Sequence, residues 1–342
     1  MMKSQDIKRM ARALGADAVG IGRIERWQGA PIQMDPRQIM PECRSVISMA
    51  FRVMRGSLRG IEEGTFFSNY AAMGYGAITY LYIPMVVINL CKAIEDEGDE
   101  AIPYGHQSDW RAIDQRGNLN EHYSRPVAPG RAAPDVMVHQ RIAGYLCGLG
   151  EIGWSKMLLT PQFGPRNRFG IVLTEAELEP DPIYDGPKLC NRCYACVDNC
   201  PGHAIPRDKS VRVTLAGHEV EWADLDCEAC DIAFRGGVPT EETPAPEDEY
   251  FEAMYGHDVT RGSWTPFYRK PRNLYNSGQA VCGARGCTRA CMINLEARGV
   301  LQNRFKQKFR RRKPWSVDWS VEPGNESPSA ENPDASRAAE AD

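Results

Sequence analysis

Apolar residues recur at Ile7, Met10, Ala11 and Leu14, which share one face of a helix; Ser4 is placed to cap it and Gly15 to end it. Two short runs without polar alternation follow, residues 17–22 and 45–53 (SVISMAFRV), and both predict buried strands. From 66 to 94 the chain is apolar and rich in small residues, which predicts one or two buried helices broken near Pro84. Polar, Gly and Pro residues then dominate 102–134, a loop long enough to be functional or mobile. Helical periodicity returns at 136–149, and 169–175 (FGIVLTE) is strand-like. The pattern changes near Pro187 to short loops rich in cysteine. Residues 238–268 form an expected insertion, and the Ser, Glu, Pro, Asn and Ala residues after Trp319 predict disorder.

Composition narrows the class. Of 342 residues, 42% are hydrophobic and 25% charged, which excludes a collagen-like, coiled-coil or wholly disordered chain. The longest apolar stretch, 80–90, is interrupted by Pro84 and too short to span a bilayer, so no membrane role is expected. The N-terminus has no apolar core, twin arginine or small-residue cleavage site, so a cytoplasmic chain with reduced thiols is expected. The net charge of −4 comes from the end of the chain: residues 316–342 carry −6, leaving about +2 elsewhere. A basic run, Lys306, Lys308, Arg310, Arg311, Arg312 and Lys313, precedes that tail. Such runs bind nucleic acid, although a solvated helix end is the more ordinary reading.

Twelve cysteines change the picture, because nine of them lie between 190 and 291. Cys190, Cys193, Cys196 and Cys200, with Pro201 following, have the C-x2-C-x2-C-x3-C-P spacing of bacterial ferredoxins. Two-residue gaps let one turning segment offer three sulfurs to one [4Fe–4S] cube, and the fourth cysteine points to another. Structural zinc more often takes two separated ligand pairs. A second cube draws on Cys282, Cys287 and Cys291, with Cys227 and Cys230 upstream. By the crossed logic, Cys190, Cys193 and Cys196 join Cys291, and Cys200, Cys282 and Cys287 are completed by Cys227 or Cys230, with a lean to Cys227. Cys43, Cys91 and Cys147 lie in apolar surroundings and are expected in the core.

A carrier of two clusters does not need the roughly 185 residues in front of them, so an attached active site is expected. The stretch 148–168 (GLGEIGWSKMLLTPQFGPRNR), then Leu178-Glu-Pro-Asp181 and the cysteine run, resembles the reductive dehalogenases and their relative, epoxyqueuosine reductase. Leu14-Gly-Ala-Asp17 and Ala101-Ile-Pro103 fit the same superfamily. The resemblance implies an α+β protein: a nitroreductase-like α/β domain (1–186) holding non-covalent cobalamin, then a ferredoxin-like two-[4Fe–4S] domain (187–314), then an acidic tail (315–342). It implies reduction of a small organic substrate, with ferredoxin or flavodoxin as low-potential electron donor. A tRNA nucleoside is the less favoured substrate, and a corrinoid-free electron-transfer protein is the third reading. The chain departs from the family in its x4, x3 spacing at Cys282, Cys287 and Cys291.

Within that resemblance Tyr104, Tyr123 and Asp135 are candidate proton donors, with Arg166 or Arg168 as the cation that would lower a tyrosine's pKa. Gly148, Gly150, Gly153, Lys156 and Arg168 are candidate cofactor-binding residues. The three glycines match a dinucleotide fingerprint by letter but close a predicted helix instead of opening one. They are expected to admit a flat cofactor or a packed strand. His106, Asp109, His122 and His139 are the other titratable groups nearby, and His139 is read as a core histidine.

Overall fold

A computed structural model describes residues 2–105, 124–234 and 281–310. Tyr123, His106, Asp109, His122, the 238–268 insertion, the acidic tail and Arg311 to Lys313 lie outside the described residues.

Helix α1 (Ser4–Leu14) runs to Gly15 as expected, but Ser4 is its first residue and not its cap. Extended Lys3 holds the cap position, its carbonyl accepting from Asp6 N and Ile7 N, and the Ser4 hydroxyl has no partner among the described residues. Strands β1 (Ala18–Arg23) and β2 (Ser45–Arg52) form where the apolar runs predict them. They join a four-stranded sheet of order β1-β2-β6-β3, with β3 (Ala101–Tyr104) and β6 (Asn167–Thr174). Every neighbouring pair is antiparallel.

The sheet is covered on both faces, which is why β2 and β6 read as near-continuous apolar runs. Ile47, Met49, Phe51 and Val172 pack with α1 and α3 (Ile83–Glu95); Val46, Ala50, Phe169, Ile171 and Leu173 pack with α4 (Gln140–Leu146). Cys43, Cys91 and Cys147 are buried in these two cores.

Strand β3 lies inside the segment expected to be loop. It escaped the pattern because it is a four-residue edge strand containing Pro103, and an edge tolerates a proline that cannot donate to the ladder. The expected helix over 136–149 contracts to α4. Residues 136–138 are outside the helix, held to the sheet edge by Tyr104.

Residues 69–95 do form two helical segments meeting at Pro84, but of different kinds. Asn69–Tyr82 is a π-helix, and it passes without a break into α3, where Pro84 occupies the first turn. The continuous helix is 27 residues long and by length and composition alone could cross a membrane. One face of its second half lies on the sheet through Ile83, Val86, Val87, Leu90 and Ile94, but Met73, Leu81, Tyr82, Met85 and Ile88 are exposed, so the helix expected to be buried is covered on one side.

Beyond 187 come a short helix α5 (Ala195–Asp198), a hairpin of β7 (Ser210–Leu215) and β8 (His218–Ala223), then α6 (Cys227–Phe234), α7 (Val281–Arg285) and α8 (Cys287–Ala297). The hairpin was not anticipated, although Val211, Val213 and Leu215 alternate with polar residues and left-handed Ala216 and Gly217 make its turn. Bonds crossing residue 187 are numerous. Trp154 Nε1 donates to Pro206 O at 2.9 Å, and Arg55 Nη1 donates to Glu296 at 2.9 Å. Buried Glu62 in α2 (Arg59–Glu63) accepts from Arg289 and Arg310.

Candidate functional site

Eight of the nine clustered cysteines fall into two sets by electrostatic reach, and Cys227 stands apart near Cys230. Cys291 lies within reach of Cys190, Cys196 and Cys193. Cys282 lies within reach of Cys287, Cys230 and Cys200, and Cys230 in turn feels Cys287 and Cys200. Cys287 stands nearest the boundary, since Cys196 and Cys291 also feel it. Cys227 is exposed and sits by Lys156. Burial, then the neighbouring thiols, pushes Cys196 up to about 12. Among the described residues no three Cys, His, Asp or Glu side chains converge closely enough to hold a single metal ion.

The loop carrying the first three cysteines is shaped by left-handed backbone at Arg192 (φ 52°) and Tyr194 (φ 57°), on either side of Cys193. Alternation of this kind turns successive N–H groups inward, a concavity that suits anions and iron–sulfur sites. Backbone N–H groups already point at two sulfurs: Trp154 N to Cys190 Sγ and Ala204 N to Cys200 Sγ, each at 3.4 Å. Glu151 fixes the start of the loop, one carboxylate oxygen accepting from Leu189 N and the other from Cys190 N, both at 2.9 Å.

The glycines before it serve this joint. Glu151 and Ile152 form β4, paired with β5 (Leu158–Leu159). A Cβ on Gly150 would lie 1.9 Å from Leu159 O, one on left-handed Gly148 2.2 Å from Pro182 O, and Gly153 borders the Leu159 side chain. The chain's own backbone fills the space a cofactor would need. Gly150→Ala is accordingly expected to cost about 1–3 kcal/mol by overpacking and to loosen Glu151, measured as a lower thermal midpoint with poorer iron retention.

The second thiol set faces the sheet through an aromatic and cationic seam. Tyr70, Tyr75 and Tyr80 recur every five residues, matching the i→i+5 bonding of the π-helix, whereas an α-helix would splay such neighbours by about 140°. Strand alternation turns Arg168 to the same side. Its guanidinium lies 4.3 Å over the Tyr75 ring, with Nη2 3.4 Å from the Tyr70 hydroxyl, and its buried Nε has no partner among the described residues. The Tyr75 and Tyr80 hydroxyls are 3.4 Å apart. Burial and Tyr75 raise the Tyr80 phenol, and Arg168 pulls it the other way. Arg141, donating to Lys156 O at 3.3 Å, completes the seam; burial and then Arg168 lower its pKa. His139 caps α4 through Nδ1 and is held down to about 4 by burial, Arg141 and Lys156. Sequence reasoning missed Tyr70, Tyr75, Tyr80 and Arg141, and the five-residue recurrence was the available signal.

The other predicted residues lie elsewhere. Tyr104 is buried, donating to Val136 O at 3.3 Å and accepting from Val138 N at 2.9 Å, and burial pushes it up to about 12. Asp135 accepts from Ser124 at 2.9 Å and Gln33 at 3.2 Å, beside a cavity of about 810 Å³ lined by Tyr104, Ile102 and residues 131–136. Arg166 is buried away from the seam, donating to Val53 O at 2.6 Å and Asn303 at 2.8 Å, and burial lowers it to about 10. In the basic run, Arg310 is taken up by Glu62 while Lys306 and Lys308 are exposed.

No protein-family model matches the chain. It is similar to two kinds of reductase. It is 44% identical over 125 residues to tetrachloroethene reductive dehalogenase of Desulfitobacterium hafniense, covering 33% of this chain and 22% of that protein. It is 36% identical over 132 residues to epoxyqueuosine reductase of Synechococcus sp. strain CC9605, covering 36% of this chain and 40% of that protein. The chain thus spans less than half of either relative. A solved catabolic reductive dehalogenase in complex with 3-bromo-4-hydroxybenzoic acid aligns over 68% of this chain and 30% of that one, with 20% identity and a TM-score of 0.44.

Proposed function

We propose that this chain is a cytoplasmic iron–sulfur reductase in which two [4Fe–4S] clusters serve a cobalamin for reductive cleavage of a small organic molecule. The single observation that carries this reading is the crossed gathering of the thiols, Cys190, Cys193, Cys196 and Cys291 against Cys200, Cys230, Cys282 and Cys287. Their spread suits a cluster, where each sulfur takes a different iron, better than zinc, which would draw four sulfurs around one ion at about 2.3 Å. Cys230 takes the ligand position toward which spacing alone leaned for Cys227, because Cys230 feels both Cys200 and Cys287. In this reading residues 1–186 form the nitroreductase-like half and 187–314 the ferredoxin-like half.

For a corrinoid the fit narrows to the seam. Arg168 Nε is a buried donor that an acceptor-bearing group there would satisfy, and Lys156 stands behind Arg141. Gly150 and Gly153 pack against Leu159 of the hairpin and Gly148 against Pro182. When bound, the corrinoid would supply a reducible, nucleophilic cobalt and the clusters one-electron storage. The chain's residues would exclude water, orient the substrate and deliver a proton. Tyr80, hydrogen-bonded to Tyr75 with Arg168 in range, suits proton delivery better than Tyr104, whose hydroxyl is engaged on both sides by backbone.

A metal and corrinoid inventory of anaerobically purified protein tests the reading. About eight irons and one corrinoid per chain are expected. Iron without corrinoid under saturating cobalamin would leave an iron–sulfur electron carrier. The similarity to epoxyqueuosine reductase, which covers the larger share of its relative, favours tRNA as a second reading, with exposed Lys306 and Lys308 as contacts. Retention of tRNA that weakens steeply with salt is its mark.

A further inference from the structure

The two thiol sets differ in the charge built against them. Beside Cys190 stands the half-buried Glu151 carboxylate, locked by two backbone N–H groups of the cluster loop itself. Within reach of Cys282 stands Arg168, and within reach of Cys230 and Cys287 stands Arg141. The Arg168 Nη2 reaches Tyr70, whose hydroxyl oxygen would lie 3.0 Å from a Cβ on Gly283, the residue after Cys282. Its guanidinium covers Tyr75, whose ring stands 5.5 Å from Phe234, four residues after Cys230 on α6. Arg168 is therefore bracketed by both helices that carry the second set, and the half-buried Arg141 lies near it.

We propose that Glu151 and Arg168 hold the two iron–sulfur sites in fields of opposite sign, so that the Cys200/Cys230/Cys282/Cys287 site accepts an electron more readily than the Cys190/Cys193/Cys196/Cys291 site. This rests on the iron–sulfur reading above. Adding an electron makes a thiolate-ligated cluster more negative; a fixed anion opposes that and a fixed cation favours it. Hydrogen bonds to sulfur act in the same direction: Trp154 N and Val197 N reach the first set, while Ala204 N and both the N–H and the hydroxyl of Thr288 reach the second. The other cations near the first set do not reverse the order. Arg192 is paired with Glu221, and Arg298, which donates to the Lys188 and Leu189 carbonyls, is exposed and screened. The electron lost by the first site is the one gained by the second, and no other reactant is needed between them. Glu151 and Arg168 act here as positioning residues that tune potential.

The test is a dithionite titration of the reconstituted full chain followed by EPR, with Cys282→Ala supplying the reference spectrum of the first site. In the unsubstituted chain the second site is expected to reduce first. Glu151→Gln should raise the first site's midpoint by a tenfold change in its reduction equilibrium, 59 mV for one electron, and leave the second in place. Arg168→Met should lower the second by a similar factor, and Arg168→Lys, which keeps the charge, should restore it. Should Arg168→Met fail to load iron, the order in the unsubstituted chain and the Glu151→Gln shift still decide. Reduction in the opposite order, or substitutions that move neither midpoint or both together, overturns the proposal while iron content still upholds two clusters. A chain that binds no iron overturns both this and the reading beneath it.

Discussion

Cys230→Ala is expected to halve the iron of the reconstituted chain, from about eight atoms to about four, while Cys227→Ala leaves it unchanged. The two cysteines are three residues apart on α6, so they differ by nearly a full helical turn and present the same face. Spacing alone cannot separate them. Both are exposed, but their neighbours differ: Cys230 feels Cys200 and Cys287, while Cys227 sits by Lys156. A set that loses one of four thiolates has an open iron and sheds its cluster, and the surviving EPR signal should be that of the Cys190 site. Iron analysis after gel filtration decides it; equal losses in the two variants would contradict the assignment.

Glu62→Ala is expected to destabilise the protein by about 3–5 kcal/mol, the cost of leaving buried charges without their partner. The Glu62 side chain is 2% exposed, with Arg289 at 14% and Arg310 at 19%. Glu62 Oε1 accepts from Arg289 Nη2 at 2.6 Å, and Oε2 accepts from Arg310 Nε at 2.8 Å. Removing the carboxylate leaves the Arg289 guanidinium without that partner and Arg310 with Glu63 at 3.9 Å, both cations over the Phe309 ring. Since Arg289 lies between Cys287 and Cys291 on α8, iron retention should fall along with the urea midpoint. A loss below about 1 kcal/mol, the scale of an exposed pair, would contradict it.

Strands β1, β2 and β6 were legible in the sequence because both faces of the sheet are covered, so their residues are apolar without alternation. A change near Pro84 was legible because proline fits the first turn of a helix and little else of it, but the helix changes from π to α there without breaking. What escaped was set by context: β3 is short and holds Pro103, and the β7–β8 hairpin carries a clear alternation that the surrounding cysteines overshadowed. The candidate site divided in the same way. Sulfur spacing shows itself in a sequence because the loop that wraps a cluster is local. The seam is not local, because Arg168 reaches the tyrosines through strand alternation and the tyrosines reach Arg168 through a π-helix, a geometry that apolar periodicity does not encode. Tyr104, a candidate proton donor within the polar 102–134 segment, instead uses its hydroxyl to pin 136–138 to the sheet.

Cys291 and Cys190, in electrostatic reach of each other, are separated by roughly a hundred residues of chain, a loop whose closure costs about 4 kcal/mol. During synthesis, at about 5–20 residues per second, Cys190, Cys193 and Cys196 leave the ribosome roughly 5–20 seconds before the fourth thiol of their set exists. For that interval they are free thiols on a growing chain, open to oxidation or to the wrong metal. The interleaved order makes the second set complete before the first, since Cys287 precedes Cys291. On the proposed reading, iron delivery waits until translation has passed Cys291, and a chain stalled in the 235–280 segment can complete neither set.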